Sequence, residues 1–121
     1  MKYSSEIVSY GVDVKALLKE ANFIIFFNEG SPSELADISV LHTKSELLND
    51  IQVGDTVIIG TKSFTVSAVG SEACRTFSEL GHATFNFSGG EEAYMPGHIM
   101  LQGEKEIAFE DIQKGAKFQI F

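Results

Sequence analysis

The amino-acid sequence predicts a small, mainly β, barrel-like fold of about eight or nine short strands with two or three short helices. Three observations favour it. Short apolar runs recur along the chain, 11 glycines punctuate them, and few segments have the period of a helix. Because 44% of the 121 residues are hydrophobic, with 10 Phe among them, we expect residues 1–121 to form a single domain around one core.

Two strands and a helix are predicted before residue 30. Residues 3–12 alternate weakly, as in an edge strand, whereas residues 23–27 have no polar face and are typical of a strand buried on both sides. Between them, apolar side chains recur at the spacing of one helix face behind a capping Asp13. These side chains are Val14, Leu17, Leu18 and Ala21.

A helical turn and a hairpin are predicted in the middle of the chain. Ser31 and Glu34 have the spacing of a capping box, with Pro32 at the first helical position. Residues 55–59 and 64–69 would pair as a hairpin across a four-residue turn. The second arm alternates apolar and polar side chains, so one of its faces should point into the core.

A second helix and four more strands complete the predicted fold. Ser71 would open the helix and Gly81 would end it, with an apolar stripe formed by Ala73, Phe77 and Leu80. Residues 82–87 then read as a strand with His82 on its polar side. Further strands are predicted near residues 98–102, 106–109 and 117–120.

Two segments of the chain resemble each other. Residues 50–57 read DIQVGDTV and residues 111–118 read DIQKGAKF. The pattern fits either a duplication of half of the barrel or a single local motif, a turn that leads into a strand, which occurs twice. We favour the second interpretation, because little else aligns at the offset that separates these two segments.

Charge and composition exclude several classes of protein. The formal net charge is −8, and Arg75 is the only arginine, which disfavours binding to nucleic acid or to anionic lipid. Residues 1–6 lack the apolar run of a signal peptide, and no apolar stretch reaches membrane-spanning length. We therefore expect a cytoplasmic protein with no direct membrane insertion, whose exposed sheet edges would permit a homo-oligomer.

Three histidines and one cysteine are the main candidates for chemistry. Cys74 and His82 could form a nucleophilic pair, but Cys74 lies in a predicted amphipathic helix, where a small buried thiol is ordinary. A zinc site from His42, His82 and His98 remains an alternative, although no two have helix or hairpin ligand spacing. His98 reads as an exposed turn residue. No glycine-rich phosphate loop or nucleotide-binding motif is present. We predict neither a metal nor a cofactor.

His42 has the most informative surroundings of the three histidines. It ends a predicted strand over residues 38–42 and shares a face with apolar side chains. Residues 43–46 read T-K-S-E, the pattern of a capping box, and the N-terminus of a helical turn favours an anion. An imidazole with a pKa near ~6.5 is largely neutral and nucleophilic at neutral pH. The combination suits a histidine that carries a phosphoryl group; a hydrogen-bonded core histidine is the alternative.

The order and spacing of several motifs resemble a known family. FNEGSPSEL at residues 27–35 is followed by VLHTKSEL at residues 40–47. A second block contains VSAVGS at residues 66–71, LGHAT at residues 80–84 and a Pro-Gly pair at residues 96–97. Together they resemble the glucitol/sorbitol-specific IIA component of the bacterial phosphotransferase system (PTS) over nearly the whole chain.

The resemblance implies a small β-barrel phosphocarrier with a phosphohistidine at the position of His42. That histidine would accept a phosphoryl group from phospho-HPr and pass it to a cysteine of the IIB component, while the membrane IIC component admits the sugar. Family members carry a second histidine two residues further on, where this chain has Lys44. His82 is therefore the candidate helper histidine.

These implications give a specific hypothesis for the site. Backbone N–H groups of Thr43, Lys44 and Ser45, with the Lys44 ammonium, would hold the phosphoryl oxygens, and His82 would hydrogen-bond the phosphoryl group or orient the ring of His42. The acidic balance of the chain suits a donor with a basic docking face, because complementary charge speeds encounter. A barrel that binds a ligand or partner without phosphotransfer is the alternative.

Overall fold

The computed structural model describes all residues 1–121 as eight strands that close into a barrel, together with three α-helices. The strands are β1 (Tyr3–Tyr10), β2 (Phe23–Asn28), β3 (Ser39–His42), β4 (Thr56–Ile59), β5 (Lys62–Val69), β6 (Ala83–Asn86), β7 (His98–Gln102) and β8 (Lys117–Ile120). The helices are α1 (Val14–Ala21), α2 (Ser33–Ala36) and α3 (Ala73–Leu80), and Phe109–Ile112 is a 3₁₀ turn. The mainly β barrel prediction is confirmed. None of the helices is long and apolar enough to cross a membrane.

The strands follow the order β1-β3-β2-β6-β7-β5-β4-β8 around the barrel. Only β2 with β3 and β6 with β7 are parallel, and every other neighbouring pair is antiparallel. The edge-strand prediction for residues 3–12 is wrong, because β1 pairs with β3 on one side and with β8 on the other. Closure gives both sides of the strand a hydrogen-bonding partner.

The barrel consists of two halves with the same topology and register. The run β1-α1-β2-α2-β3 corresponds to β5-α3-β6-β7, in which no helix takes the place of α2. Ile7 faces His42 in the first half, and Val66 faces Leu101 in the second, each 59 positions further along the chain. The register of both long strands shifts just after that pair. A duplicated half is therefore present, and our preference for a merely reused turn is wrong.

The two DIQ segments connect each half of the barrel to its next strand, β4 in the first case and β8 in the second. Gly54 and Gly115 both have positive φ, at 96° and 90°. Their amides donate at 2.8 Å to the carbonyls of Val66 and Ile7, which are equivalent residues of the two halves. Gly115 lies two positions further from Leu101 than Gly54 lies from His42, the residue equivalent to Leu101, so the DIQ segments repeat at a different offset from the strands. That difference hid the duplication at the sequence level.

Aromatic rings fill the barrel interior. Phe26 and Phe118 stack with ring centroids 4.0 Å apart, and Phe77 and Phe85 meet this pair edge to face. These four rings belong to a cluster of 20 buried residues. The inward face predicted for the second hairpin arm is confirmed, since its alternate apolar side chains are buried. Each fully buried ring contributes roughly 1.5–3 kcal/mol.

α1 starts directly after Asp13, its predicted cap residue, whereas α3 starts after Glu72 rather than Ser71. α1 and α3 begin as predicted in outline, but neither has a side-chain cap. Instead, the first amide of each helix donates to the carbonyl of a glycine, Gly11 in the first half and Gly70 in the second. A Cβ on either glycine would overlap backbone atoms of a neighbouring loop. This close packing sets the helix starts, so Asp13 and Ser71 are not needed as caps.

Three further local predictions are wrong. Pro32 is the cap position of α2, and Ser31, predicted to be the cap, keeps a buried hydroxyl without a partner. The hairpin turn has two residues rather than four, because Ile59 pairs directly with Lys62. Leu80, assigned to the apolar stripe of α3, is 44% exposed.

The strand predicted over residues 106–109 is also absent, since the chain there leads into the 3₁₀ turn. The carboxylate of Asp111 stabilises that turn by accepting from the Ala108 amide at 3.0 Å. It also pairs with the ammonium of Lys62 at 2.9 Å. This ion pair and the cap explain why an acidic side chain is buried here.

Candidate functional site

His42 ends β3 with its side chain inside the barrel, where it is 0% exposed. Its ring lies 5.1 Å from that of Phe118 and 5.9 Å from those of Tyr3 and Phe26, measured between centroids. Phe77 stacks beside it at 6.1 Å. The predicted apolar surroundings of this imidazole are therefore present. They include aromatic rings from other elements in addition to the apolar residues of its own strand.

Two backbone carbonyls face the two nitrogens of the His42 ring. Nε2 lies 2.9 Å from the carbonyl oxygen of Gly81, and Nδ1 lies 3.1 Å from that of Thr43. Because a carbonyl can only accept, a neutral ring can satisfy one of them at a time. Nδ1 also lies 3.3 Å from the hydroxyl of Tyr3, which donates to it when the ring proton is on Nε2. The two carbonyls thus compete for one proton.

Burial keeps this ring uncharged. It lowers the pKa of His42 below its ordinary value, and this effect outweighs the carbonyls of Gly81 and Thr43 and the carboxylate of Glu29, which all favour the cation. Burial also raises the pKa of Tyr3 to about 12, so its hydroxyl stays protonated and remains a donor. The site accordingly presents a neutral imidazole with one nitrogen lone pair.

Asn28 and Gly81 meet the His42 ring at one point, which the sequence analysis did not identify. Asn28 is the direct cross-strand neighbour of His42. Gly81 ends α3 in the left-handed region, with φ of 63°. A Cβ on Gly81 would overlap Oδ1 of Asn28 and would lie 2.8 Å from Cε1 of His42. The Oδ1 atom of Asn28 is buried without a hydrogen-bond partner.

His82 belongs to the same corner of the protein, because it follows the Gly81 carbonyl that His42 contacts. The Nδ1 atom of His82 donates to the carbonyl of Phe26 at 3.1 Å. Its ring lies against that of Phe27, with centroids 4.6 Å apart. This leaves Nε2 of the half-buried ring without a hydrogen bond to the protein.

The helical turn predicted after His42 is absent, since residues 43–48 are irregular. The Thr43 amide donates to the carbonyl of Glu6 at 2.9 Å, and the Thr43 hydroxyl accepts from the Glu6 amide at 3.1 Å. Pairing with β1 therefore continues past the strand end and outcompetes the capping box. The amide of Lys44 makes no hydrogen bond within the protein, whereas Ser45 forms a backbone hydrogen bond with the Tyr3 hydroxyl. The side chains of Lys44 and Ser45 are exposed.

The remaining candidates do not join this site. His98 is half-buried beside Phe23 rather than in an exposed turn, so that prediction is wrong. Cys74 and His82 are eight positions apart along and just beyond α3, about 12 Å at the helical rise. Burial raises the pKa of the Cys74 thiol, which opposes its use as a nucleophile. No group of three His, Cys, Asp or Glu side chains could hold a metal ion.

The stability of the barrel should depend on pH through its buried histidines. Burial lowers the pKa of both His42 and His98. Between the lowered folded value and the unfolded value of about 6.5, the unfolded chain binds more protons than the folded one. We therefore expect the free energy of unfolding, measured by urea titration, to decrease as the pH falls below about 6.5. His42→Gln should reduce that decrease, and an unchanged pH profile would contradict the assignment to His42.

The fold and the site define a small closed β-barrel protein built around one buried, neutral histidine. Residues 2–119 match the family model of the PTS system glucitol/sorbitol-specific IIA component. The chain therefore belongs to this family of phosphocarriers and is a component of a phosphotransferase system.

Individual relatives agree with this assignment. The glucitol/sorbitol-specific EIIA components of Shigella flexneri and Escherichia coli (strain K12) are each 33% identical over 101 residues, covering 84% of this chain and 81% of the relative. The crystal structure of a PTS system IIA component from Enterococcus faecalis V583 covers 96% of this chain and 97% of its own, with a TM-score of 0.80. At 19% identity, that similarity supports the fold.

Proposed function

We propose that His42 accepts a phosphoryl group from phospho-HPr and passes it to a cysteine of the IIB component. The observation that carries this proposal is the neutral, buried imidazole with a carbonyl facing each nitrogen. Membership of the IIA family supports HPr and IIB as the general partners and the cytoplasm as the place of exchange.

Transfer requires the site to open, since His42 is 0% exposed. Nδ1 faces Tyr3, which is 2% exposed and part of the core. Nε2 faces the carbonyl of Gly81, which lies in a turn between α3 and β6. Gly81 is itself buried, but residues 78–80, which precede it in α3, are exposed, so this turn lies nearer to the surface than Tyr3 does. We therefore assign Nε2 as the reacting nitrogen, uncovered when this turn moves aside.

The same movement would prepare the ring for attack. Once the Gly81 carbonyl leaves Nε2, the carbonyl of Thr43 holds the ring proton on Nδ1, and Nε2 carries the lone pair. This lone pair forms the new N–P bond, while the N–P bond of the donor breaks and its electron pair returns to the donor imidazole. Because one N–P bond replaces another, the protein mainly has to align the two rings in line and exclude water.

The phosphoryl oxygens would be held by groups around the strand end. The free amide of Lys44 and the Lys44 ammonium are available, and the side-chain amide of Asn28 is next to the ring. The Ser45 amide would contribute only after its hydrogen bond with Tyr3 breaks. The Thr43 amide is excluded from the predicted set, because its bond to Glu6 is part of the sheet. Nδ1 of His82 donates to the carbonyl of Phe26, and its Nε2 atom makes no hydrogen bond within the protein and faces no competing partner.

Phosphorylation of the purified protein tests the proposal. Incubation with phosphoenolpyruvate, enzyme I and HPr should add one phosphoryl group to the intact mass. The adduct should be lost in acid and kept in base, as expected for a phosphohistidine, and it should require HPr. A protein that gains no phosphoryl group with any HPr would instead fit a barrel that binds a ligand or partner without transfer.

A further inference from the structure

A cavity of about 560 Å³ lies between α1 of the first half and strands and loops of the second half, beside residues equivalent to those around His42. The register of the two halves places Leu101 where the first half has His42. By the same 59-residue offset, Asn22 corresponds to Gly81 and Phe87 to Asn28. Asn22 ends α1 in the left-handed region with φ of 59°, as its counterpart ends α3. The cavity lies beside Asn22 and Phe87.

One wall of this cavity is apolar and aromatic. Phe64 and Phe87 contact each other edge to face with ring centroids 5.0 Å apart, and Phe109 lies on the opposite loop. Leu18 and Ile107 complete the apolar surface. Partly enclosed cavities of roughly 300–1,000 Å³ with such a surface are typical of small-molecule sites.

Charged side chains surround the opening. Lys15, Lys19 and Lys105 all line the cavity, and none of them forms an ion pair within the protein. The Nζ atom of Lys15 lies 5.3 Å from the ring centroid of Phe109. Glu104 and Glu106 also line the cavity. Three unpaired ammonium groups against two carboxylates leave a small local excess of positive charge in a chain of net charge −8, which favours an anion.

We propose that this cavity binds the phosphate ester of a small polyol. The lysines would hold the phosphate, because Lys is a common point-charge ligand for phosphate groups. Glu104 and Glu106 would accept hydrogen bonds from hydroxyl groups, which a ligand without hydroxyls could not provide. The aromatic wall would contact the carbon skeleton. None of these residues is part of the His42 site, so the proposal does not depend on phosphotransfer.

Calorimetric titration of the wild-type protein with three probes tests the ligand class. Glucitol 6-phosphate should bind at least about tenfold more tightly than either glucitol or inorganic phosphate, since only it uses both the lysines and the glutamates. If inorganic phosphate binds as tightly as the ester, the cavity is a general anion site and the polyol assignment is wrong. No binding of the ester would overturn the whole proposal.

Variants locate the binding. Lys19→Gln and Lys105→Gln should each weaken binding of the ester about tenfold. Lys114→Gln is the matched control, because Lys114 is exposed and lies outside the cavity, and it should leave binding unchanged. His42→Gln should also leave binding unchanged, which separates this proposal from the proposed function. Equal binding by all four variants and the wild type would contradict the assignment.

Discussion

Replacing His42 by Gln is expected to reduce phosphorylation by phospho-HPr by more than about 10³-fold, because the side chain that forms the N–P bond is lost. Gln is preferable to Ala here. Its amide can still donate to the Gly81 carbonyl, whereas Ala would leave a cavity that costs about 2–4 kcal/mol. Intact-mass measurement over time, with phosphoenolpyruvate, enzyme I and HPr, gives the rate.

His98→Gln is the matched control for that experiment. His98 lies at the start of β7, with β2 and β6 between it and the strand that carries His42. Its replacement should leave the rate of phosphorylation within about twofold of wild type, since surface and half-buried substitutions away from the site act mainly on stability. An acid-labile phosphoryl group on the His42→Gln protein would show that another residue is the acceptor.

Gly81→Ala is expected to damage both the fold and the transfer. Positive φ costs a non-glycine residue about 1–2 kcal/mol, and the new Cβ would also overlap Asn28 and crowd the His42 ring. The free energy of unfolding should decrease by about 2–4 kcal/mol. Because the new Cβ would crowd Cε1 of His42, the carbon between its two ring nitrogens, we expect the ring to lose its in-line position and the rate of phosphorylation to fall by at least about tenfold.

Gly89→Ala separates these two effects. Gly89 has nearly the same positive φ, 65° against 63°, but the nearest atom to its Cβ would lie at an ordinary 3.4 Å. The control should therefore show the backbone cost alone and keep the rate of phosphorylation. Urea denaturation and the mass assay are run on both variants. If both variants lose the same stability and both are phosphorylated at the wild-type rate, the contact between Gly81 and the His42 site does not contribute to phosphorylation.

Much of the architecture follows from local patterns in the sequence. β7 and β8 have the predicted bounds, and α1 and α3 lie where apolar residues recur at helical spacing, because amphipathic periodicity reports directly on burial. The duplication was hidden because the strands repeat at 59 positions while the visible echo repeats at 61. Two extra residues between Leu101 and Gly115, compared with the stretch from His42 to Gly54, are enough to separate the two offsets.

The candidate site was predictable only in its central residue. The polar end of an apolar strand identifies His42, since a histidine on a buried face needs partners. Its partners Tyr3, Asn28 and Gly81 lie 39, 14 and 39 positions away along the chain, and only the closed barrel brings them together. The capping box after His42 was misleading, because hydrogen bonding with β1 determines the conformation of that segment. This long-range pairing cannot be recognised from the local sequence.

The place of His42 at the boundary between the two halves has a consequence for folding. The ring is carried by a strand of the first half, but the carbonyl on Nε2 comes from the helix end of the second. A chain in which only one half has formed would have an imidazole that is hydrated and free to protonate. The position of the imidazole is thus coupled to cooperative assembly, because only the fully folded barrel holds the ring between the two carbonyls and away from water.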